Sequence, residues 1–288
     1  MADDQAFVEL RPSLFGIAYR MLGSATEADD LLQEAFLRWQ RRPERGVDSP
    51  RAYLTSVVVR LCIDQLGSAR VRREAYVGQW LPEPVSTEPD PADSAELADT
   101  LSLAFLVLLE ELSPAERAAF ILREVFSYSY PETAAMLGRG EPACRQLVSR
   151  ATRQIGDRRP HLDADRHVGE ELAVRFLAAC ADGDVQGLLE VLAPDVVLWG
   201  DGGGKAKANL RPVVGAKRAS RFLINVAKRI APGSTVRLAH LNGQPGFVIE
   251  LDGLPTTATA FDVIGGIICG IRITTNPDKL RALAQPSG

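Results

Sequence analysis

SYPETAAMLGRGEPACRQLVSRATR, residues 129–153, reads as two short helices around a tight glycine turn, with arginines on the second. Ser129 is placed to cap the first helix, and Glu132, three residues on, reaches back towards the free backbone N–H of Ser129. Pro131 falls in the first turn, where a missing N–H costs little. Ala134, Ala135 and Leu137 form a small, close-packing face, and Gly138-Arg139-Gly140 breaks the helix. The second helix then carries Arg145, Gln146, Ser149, Arg150 and Arg153. This is the layout of a helix-turn-helix, whose second helix enters the DNA major groove. A plain helical hairpin with a solvated arginine face would share the pattern.

Upstream, residues 3–75 read as a helical domain. Phe7, Leu10, Leu14, Ile17, Ala18 and Met21 fall on one helical face, Gly23 suits its C-terminal end, and Pro12 should kink or restart it near the beginning. Ser24-Ala25-Thr26-Glu27 predicts a second capping box, opening a helix whose face shows Asp29, Asp30, Gln33, Glu34, Arg38 and Arg41. Ser49-Pro50 opens another, with Leu54, Val57, Val58, Leu61, Cys62 and Gln65 at helical spacing and Arg51, Ser56, Arg60 and Asp64 on the exposed side. Residues 76–94 carry Pro82, Pro84, Pro89 and Pro91 among acids, the composition of an extended linker. A free linker has little use for Trp80 and Leu81, so Trp80-Leu81-Pro82-Glu83-Pro84-Val85 either docks on a domain or is a hydrophobic binding segment. Leu97, Leu101, Ala104, Phe105, Leu108 and Leu112 make the stripe of a helix beginning near residue 95, and Ser113-Pro114-Ala115-Glu116 is a third capping box.

The net charge of −4 looks wrong for a DNA-binding protein, so its distribution matters. Val77 to Glu111 holds eight acids and no Lys or Arg, whereas Arg38 to Arg73 holds nine arginines against Glu44, Asp48 and Asp64. That basic block beside an acidic linker fits a weak DNA binder that needs a second protein for tight binding. No stretch approaches the roughly 18 to 20 apolar residues of a membrane span, and the acidic start MADDQAF lacks the layout of a signal peptide. Four cysteines scattered singly (Cys62, Cys144, Cys180, Cys269) argue against a zinc site or a disulfide framework and for a reducing cytoplasm. His161, His167 and His240 are too dispersed for a metal cluster, and no cofactor is expected.

From about His167 the texture changes. A helix through Val168, Leu172, Phe176, Ala179 and Cys180 ends near Gly183, and Asp184 caps a short one ending at Pro194. Strand-like runs follow at 196–199, 235–241, 246–251, 256–264 and 267–274, the last four joined by Asn242-Gly243, Asp252-Gly253 and Gly265-Gly266, strong hairpin signals. Helices followed by an antiparallel meander predict an α+β sheet with helices on one face, a shape that often encloses an apolar pocket.

Together these parts resemble the extracytoplasmic-function (ECF) sigma factors of bacterial RNA polymerase. The likeness rests on AYRMLGSATEADDLLQEAFLRW (18–39), on residues 50–85 from PRAYLTSVVVR to WLPEPV, and on LSPAERAAFILREVFSYSYPETAAMLGRGEPACRQLVSRATR (112–153). WLPEPV, DGGGK (201–205) and NPDKL (276–280) are similar to signatures of the SigJ-type subgroup, which adds a C-terminal SnoaL-like domain of the NTF2 fold. The resemblance implies a multidomain chain: 1–75 an all-α domain for core polymerase and the −10 element, 76–94 a linker, 95–160 a helix-turn-helix domain for the −35 element, and 161–288 an α+β regulatory domain. It implies that Asp29, Asp30, Gln33 and Glu34 bind the clamp helices of the polymerase β′ subunit. Arg51, Ser56, Arg60 and Arg70 would touch the −10 element. Arg145, Gln146, Ser149, Arg150 and Arg153 would read the −35 element, where Arg pairs bidentately with guanine and Gln with adenine. It also implies regulatory contacts among Trp80, Leu81, Pro82, Glu83, Pro84, Asp201, Gly202, Gly203, Gly204, Lys205, Asn276, Pro277, Asp278, Lys279 and Leu280, and an unidentified small ligand as a further partner of the C-terminal domain. The chain departs from many sigma factors at Gly140 and Pro142, which weakens the cap of the second helix.

DGGGK is not a P-loop, because the GxxxxGK[ST] spacing is absent and Ala206 replaces the hydroxyl. Three glycines permit close backbone approach, with Asp201 and Lys205 as paired charges; a flexible exposed loop is the alternative. Asn276 capping a helix, with Pro277 at its first position, would account for NPDKL structurally. Two further functions compete with the promoter-specificity reading. One is a SnoaL-like isomerase or cyclase using Asp201 or Asp262; the other is a ligand-gated helix-turn-helix regulator acting without polymerase.

Overall fold

The structure is a computed structural model describing residues 2–41, 49–74, 76–87, 100–158, 162 and 166–284. The chain divides into two compact units, Met1–Ala75 with Leu106–Arg159 and Tyr76–Phe105 with Pro160–Gly288.

The first unit is helical. Helix α1 (Ala2–Leu22) buries Phe7, Leu14, Ile17, Ala18 and Met21 along one stripe and ends at Gly23 in the left-handed conformation, φ +67°. Pro12 lies inside this helix without restarting it. The carbonyl it leaves unbonded belongs to Val8, which is exposed, so water can satisfy it. Helix α2 (Ala25–Gln40) is capped by Ser24, whose hydroxyl accepts the Glu27 N–H at 3.1 Å. Helix α3 (Pro50–Glu74) buries Leu54, Val58 and Cys62. Helix α4 (Leu103–Leu109) passes from the second unit into the first at Phe105–Leu106 and is what is described of the helix expected from residue 95: Leu97 lies outside the described residues, Thr100 and Leu101 form a turn, and Leu112 follows the helix end. Helix α5 (Pro114–Phe120) opens on a complete capping box between Ser113 and Glu116 and runs into a π-helical turn at Ile121–Val125. Helices α6 (Tyr130–Leu137) and α7 (Glu141–Ile155) complete the unit.

The second unit is α+β, as the sequence predicts. Helices α8 (Arg166–Asp182) and α9 (Val185–Val191) precede β1 (Leu192–Asp201) and β2 (Val213–Val214). Then come α10 (Ala216–Ala227), β3 (Thr235–Leu241), β4 (Gln244–Leu251), β5 (Leu254–Ile264) and β6 (Ile267–Thr274). Asp184 is the N-cap residue of α9 but makes no side-chain cap bond, and Pro194 lies in β1 rather than ending the helix. The sheet order is β2-β1-β6-β5-β4-β3. The last four strands form the expected meander, and the dipeptides Asn242-Gly243, Asp252-Gly253 and Gly265-Gly266 all adopt positive φ, which lets two-residue turns follow the strand twist. The sheet is nevertheless mixed, because β1 pairs parallel with β6. No hairpin joins these two strands, so local turn signals could not set their direction.

Helices α8 to α10 cover one face of the sheet. Phe176, Phe247 and Phe261 meet there with centroids 4.8 to 6.2 Å apart, amid Leu198, Leu223 and Ile271. The apolar layer that the sequence suggests as a pocket is thus packed at this point by an aromatic trio. Among the described residues no helix is long and apolar enough to cross a membrane.

Candidate nucleic-acid interface and docked linker

In the helix-turn-helix, Ser129 and Glu132 satisfy each other's backbone N–H groups, Pro131 occupies the first turn, and Gly138 ends α6 at φ +62°. Helix α7 starts at Gly140 without a side-chain cap, in keeping with the departure at that position. Cys144, Leu147, Val148, Ala151 and Ile155 are buried on one side, so Arg145, Gln146, Ser149, Arg150 and Arg153 are all exposed on the other. Two of these arginines are already oriented. Arg145 stacks 4.1 Å over the Tyr130 ring and lies 3.6 Å from Glu141, and Arg150 Nε donates to Glu116 Oε1 at 2.8 Å. Glu116 also accepts from the Ser113 hydroxyl and backbone N–H, and these bonds hold its carboxyl below the ordinary range.

On α2, Asp30, Gln33 and Glu34 are exposed and Asp29 is half-buried. Asp29 pairs with Arg11 at 2.7 Å and Glu34 with Arg38 at 2.9 Å, both half-solvated pairs that hold little energy and exchange readily. On α3, Arg51 and Arg60 are exposed and Ser56 is half-buried, whereas the side chain of Arg70 lies outside the described residues.

The second unit holds the linker. Residues 76–87 run extended, with Leu81, Pro82, Glu83 and Pro84 buried and Trp80 half-buried. Residues 88–94 lie outside the described residues. Asp201 closes β1 fully buried, so the exposed-loop alternative does not apply to it. Its Oδ1 accepts the Tyr76 hydroxyl at 2.5 Å; its Oδ2 accepts the Leu81 N–H at 2.8 Å and the Lys279 ammonium at 2.7 Å. Its carbonyl accepts the N–H groups of Thr275 and Asn276. Lys279 also donates to the Leu81 carbonyl and lies 4.4 Å over the Trp80 ring. Asn276 Nδ2 donates to the Tyr76 oxygen at 2.9 Å. Three segments distant in sequence therefore share one buried carboxylate. Burial, with the Asp201 bond and charge, pushes the Tyr76 hydroxyl well above the usual tyrosine range, so it remains a donor.

Two sequence expectations need correction here. Asp201 and Lys205 are not partners: Lys205 pairs with Asp278, which leaves Asp201 to Lys279. Asn276 and Pro277 do not open an α-helix; Asn276 Oδ1 accepts the Asp278 N–H at 3.1 Å in a turn that brings Lys279 inward. The glycines have a steric reason. At Gly203, φ +57°, a Cβ would collide with the Asn276 amide and the Tyr76 hydroxyl.

The linker's other end is pinned at the β3–β4 turn. Val85 N–H donates to Asn242 Oδ1 at 3.0 Å, Asn242 N–H to the Val85 carbonyl at 2.9 Å, and Thr87 N–H to the His240 carbonyl at 2.9 Å. Because Asp201 ends β1 and Asn242 follows β3 at the far edge, the segment spans most of the sheet's strand order. Tyr76 and Asn242 are contacts that sequence reading missed. Neither belongs to a periodic pattern, and only the fold brings them to the linker.

Asp262, an enzyme candidate in the sequence, forms a buried ion pair with Arg272, whose guanidinium lies 4.5 Å from the Trp199 ring centroid. Strand alternation puts it on the face opposite Phe261 and Val263, away from the helix-covered layer. A pocket of about 410 Å³ lies elsewhere in this unit, lined by Leu189, Leu192, Pro194, Val214 and the first turn of α10.

The chain matches the family models Sigma-70 region 2 over residues 6–72 and Sigma-70, region 4 over residues 102–155. It is 38% identical to the ECF RNA polymerase sigma factor SigJ of Mycobacterium tuberculosis, over 98% of this chain and 96% of that protein. It is 34% identical to the probable ECF RNA polymerase sigma factor SigI of the same species, over 96% and 94% of the two chains. The crystal structure of the M. tuberculosis SigJ protein matches with a TM-score of 0.77 at 35% identity, covering 98% of this chain and 99% of that one. With both sigma regions in order and a full-length relative of this similarity, the chain belongs to the ECF family of RNA polymerase sigma factors.

Proposed function

We propose that this protein binds bacterial core RNA polymerase in the cytoplasm and directs initiation at a defined set of promoters, without catalysis of its own. Residues 1–75 engage the β′ clamp helices through Asp29, Asp30, Gln33 and Glu34, and the −10 element through Arg51, Ser56, Arg60 and Arg70. Residues 95–160 read the −35 element through Arg145, Gln146, Ser149, Arg150 and Arg153. The exposed arginine and amide face of α7, set on a complete helix-turn-helix, supports this assignment most directly. An acidic, amide-rich α2 suits a basic partner helix.

Residues 161–288 regulate the two helical domains in cis by holding residues 76–87 of the linker. The observation that carries this is Asp201, a carboxylate with no exposed surface that joins Tyr76, the Leu81 backbone and Lys279. The linker connects the −10 and −35 domains, so whatever holds or frees it acts on their separation.

Run-off transcription with core polymerase tests both parts, comparing the full chain with a version ending near Asp165. Promoter-specific transcripts with core, and none from core alone, are expected. The truncation should change output severalfold in one direction, because the linker loses Asp201, Asn242 and Lys279 together. Failure of the full chain to bind core or to direct initiation at any genomic fragment would end the sigma reading. Unchanged output from the truncated chain would end the regulatory one.

A further inference from the structure

An arginine on a recognition helix can reach a phosphate or a base edge, and only the second carries sequence information. What fixes its direction therefore matters to promoter choice. Arg145 and Arg150 are both exposed on α7, and each is held by a residue of an earlier helix. The Arg145 guanidinium lies 4.1 Å over the ring of Tyr130, the first residue of α6. Arg150 Nε donates to Oε1 of Glu116, on α5, at 2.8 Å.

Glu116 is engaged through both carboxylate oxygens. Oε2 accepts the Ser113 N–H at 3.2 Å and the Ser113 hydroxyl at 2.6 Å, within the capping box of α5, and Oε1 is left for Arg150. The carboxylate keeps its charge, because the Ser113 hydroxyl first of all, with the Ser113 N–H and Arg150 adding, holds it below the ordinary range. Its side chain is 15% exposed, against 56% for Arg150, so the carboxylate is the fixed partner of the two. The helices that carry the pair form a frame. Ala119, one turn after Glu116, shares a buried cluster with Val148 and with Leu147, one turn before Arg150. Past Arg150, Gln154 Nε2 donates to the Glu111 carbonyl at 2.8 Å, and Arg158 meets the Glu111 carboxylate through both Nη atoms at 2.9 and 2.8 Å.

A guanidinium is a planar fork of N–H donors. With Nε committed to Glu116, the Nη1–Nη2 pair is the fork left to meet O6 and N7 of a guanine. The same bond removes rotamer freedom that an unheld arginine gives up only on binding, a cost that would fall on the specific complex. A carboxylate beside the guanidinium also repels phosphate oxygens, so it disfavours the contact that carries no sequence information.

We propose that Glu116 is a positioning residue for promoter choice, holding the Arg150 guanidinium end-on to the −35 bases without touching DNA itself. This deepens the sigma-factor reading and rests on α7 entering the major groove at the −35 element. The capping box of α5 then has two tasks: it closes the N-terminus of its own helix and aims a side chain of another. Specificity for the −35 element depends on a residue 34 positions before the arginine through which it acts.

The test is a double-mutant cycle on the full chain assembled with core polymerase. Holoenzymes carrying wild type, Glu116→Gln, Arg150→Ala or both are offered a promoter fragment with the preferred −35 element in competition with fragments mutated one base pair at a time. The ratio of affinities is read, because a general change of charge moves both alike. Glu116→Gln keeps the cap, which accepts Gln as well as Glu, but replaces the charged acceptor facing Arg150. It should lower the ratio about two- to fivefold, the size expected of one half-exposed charged hydrogen bond, and at one or two base pairs only. In the Arg150→Ala background the same substitution should change nothing. Ser113→Ala loosens the cap while leaving the backbone N–H on Glu116 and Oε1 on Arg150, so it should keep the wild-type ratio. A Glu116→Gln ratio equal to wild type would overturn the proposal. So would an equal drop with and without Arg150, or a drop of the same size in Ser113→Ala, which would make the effect one of helix stability. Undiminished discrimination by Arg150→Ala would instead remove Arg150 from the −35 contacts, and the proposal with it. Failure of the sigma reading would look different again, as a wild type that neither binds core nor initiates.

Discussion

Asp201 shows what one buried charge can organise. A carboxylate without exposed surface is costly unless its lone pairs are met, and here a phenol, a backbone N–H and an ammonium meet them. Lys279 is itself only 13% exposed at its side chain, so removing the carboxylate strands an ammonium in a poorly hydrated site. Asp201→Ala should destabilise the second unit by about 3 kcal/mol. It should also free residues 76–87, seen as a Trp80 emission shift and as new protease cleavage in the linker. If denaturant unfolding and cleavage both match wild type, Asp201 does not hold the linker. The sequence marked DGGGK as special for its glycines and charges, but the pairing it suggested, Asp201 with Lys205, was the wrong one. Adjacent charges look paired in one dimension; the turn at Asn276 delivers a different lysine.

Among the elements, the helix caps carry most of the local information. Ser113 with Glu116 and Ser129 with Glu132 form reciprocal boxes, and both glutamates are held below the ordinary carboxylate range, first of all by the serine hydroxyls. A carboxyl depressed in the folded state contributes stability that is full above its unfolded value, about 4.3, and is lost as pH falls towards the folded value. Far-UV circular dichroism should therefore show helix loss in the first unit on acidification below about pH 4.5. Ser113→Ala should cost about 1 kcal/mol at neutral pH and weaken that acid transition, since Glu116 loses its largest perturbing partner. An acid profile unchanged by Ser113→Ala would mean that the box does not set it. The boxes were legible because three residues of spacing suffice to define them. Helix α10 was equally regular, with Ala216, Ala219, Ser220, Leu223 and Ile224 buried at helical spacing, yet the sequence reading passed over it.

At the scale of the molecule, the proposed reading of the −35 element depends on α7 presenting side chains to base edges. Arg145→Ala should weaken binding to the preferred −35 element by about 1 to 3 kcal/mol and relax discrimination at one or two base pairs. Loss of a phosphate contact would instead lower affinity evenly across sequences, so competition between matched and mutated −35 duplexes, read in holoenzyme, separates the two. Equal loss on every duplex would remove Arg145 from base readout. Its stacking on Tyr130 and its contact with Glu141 favour readout, because they hold the guanidinium in one orientation before DNA arrives.

The sequence by itself determined what depends on neighbours along the chain: the capped helices, the glycine-ended turn of the helix-turn-helix, the three two-residue hairpins and the order of helical and α+β parts. Each is settled by backbone sterics and hydrogen bonds within a few residues. Tertiary structure alone decided that β1 runs parallel to β6, that Asp201 answers to Lys279 and Tyr76, and that Arg51 Nε donates to the Tyr128 hydroxyl. Those side-chain partners lie 77 to 125 residues apart, and a buried charge or a stacked guanidinium takes whichever group the packed core brings within about 3 Å.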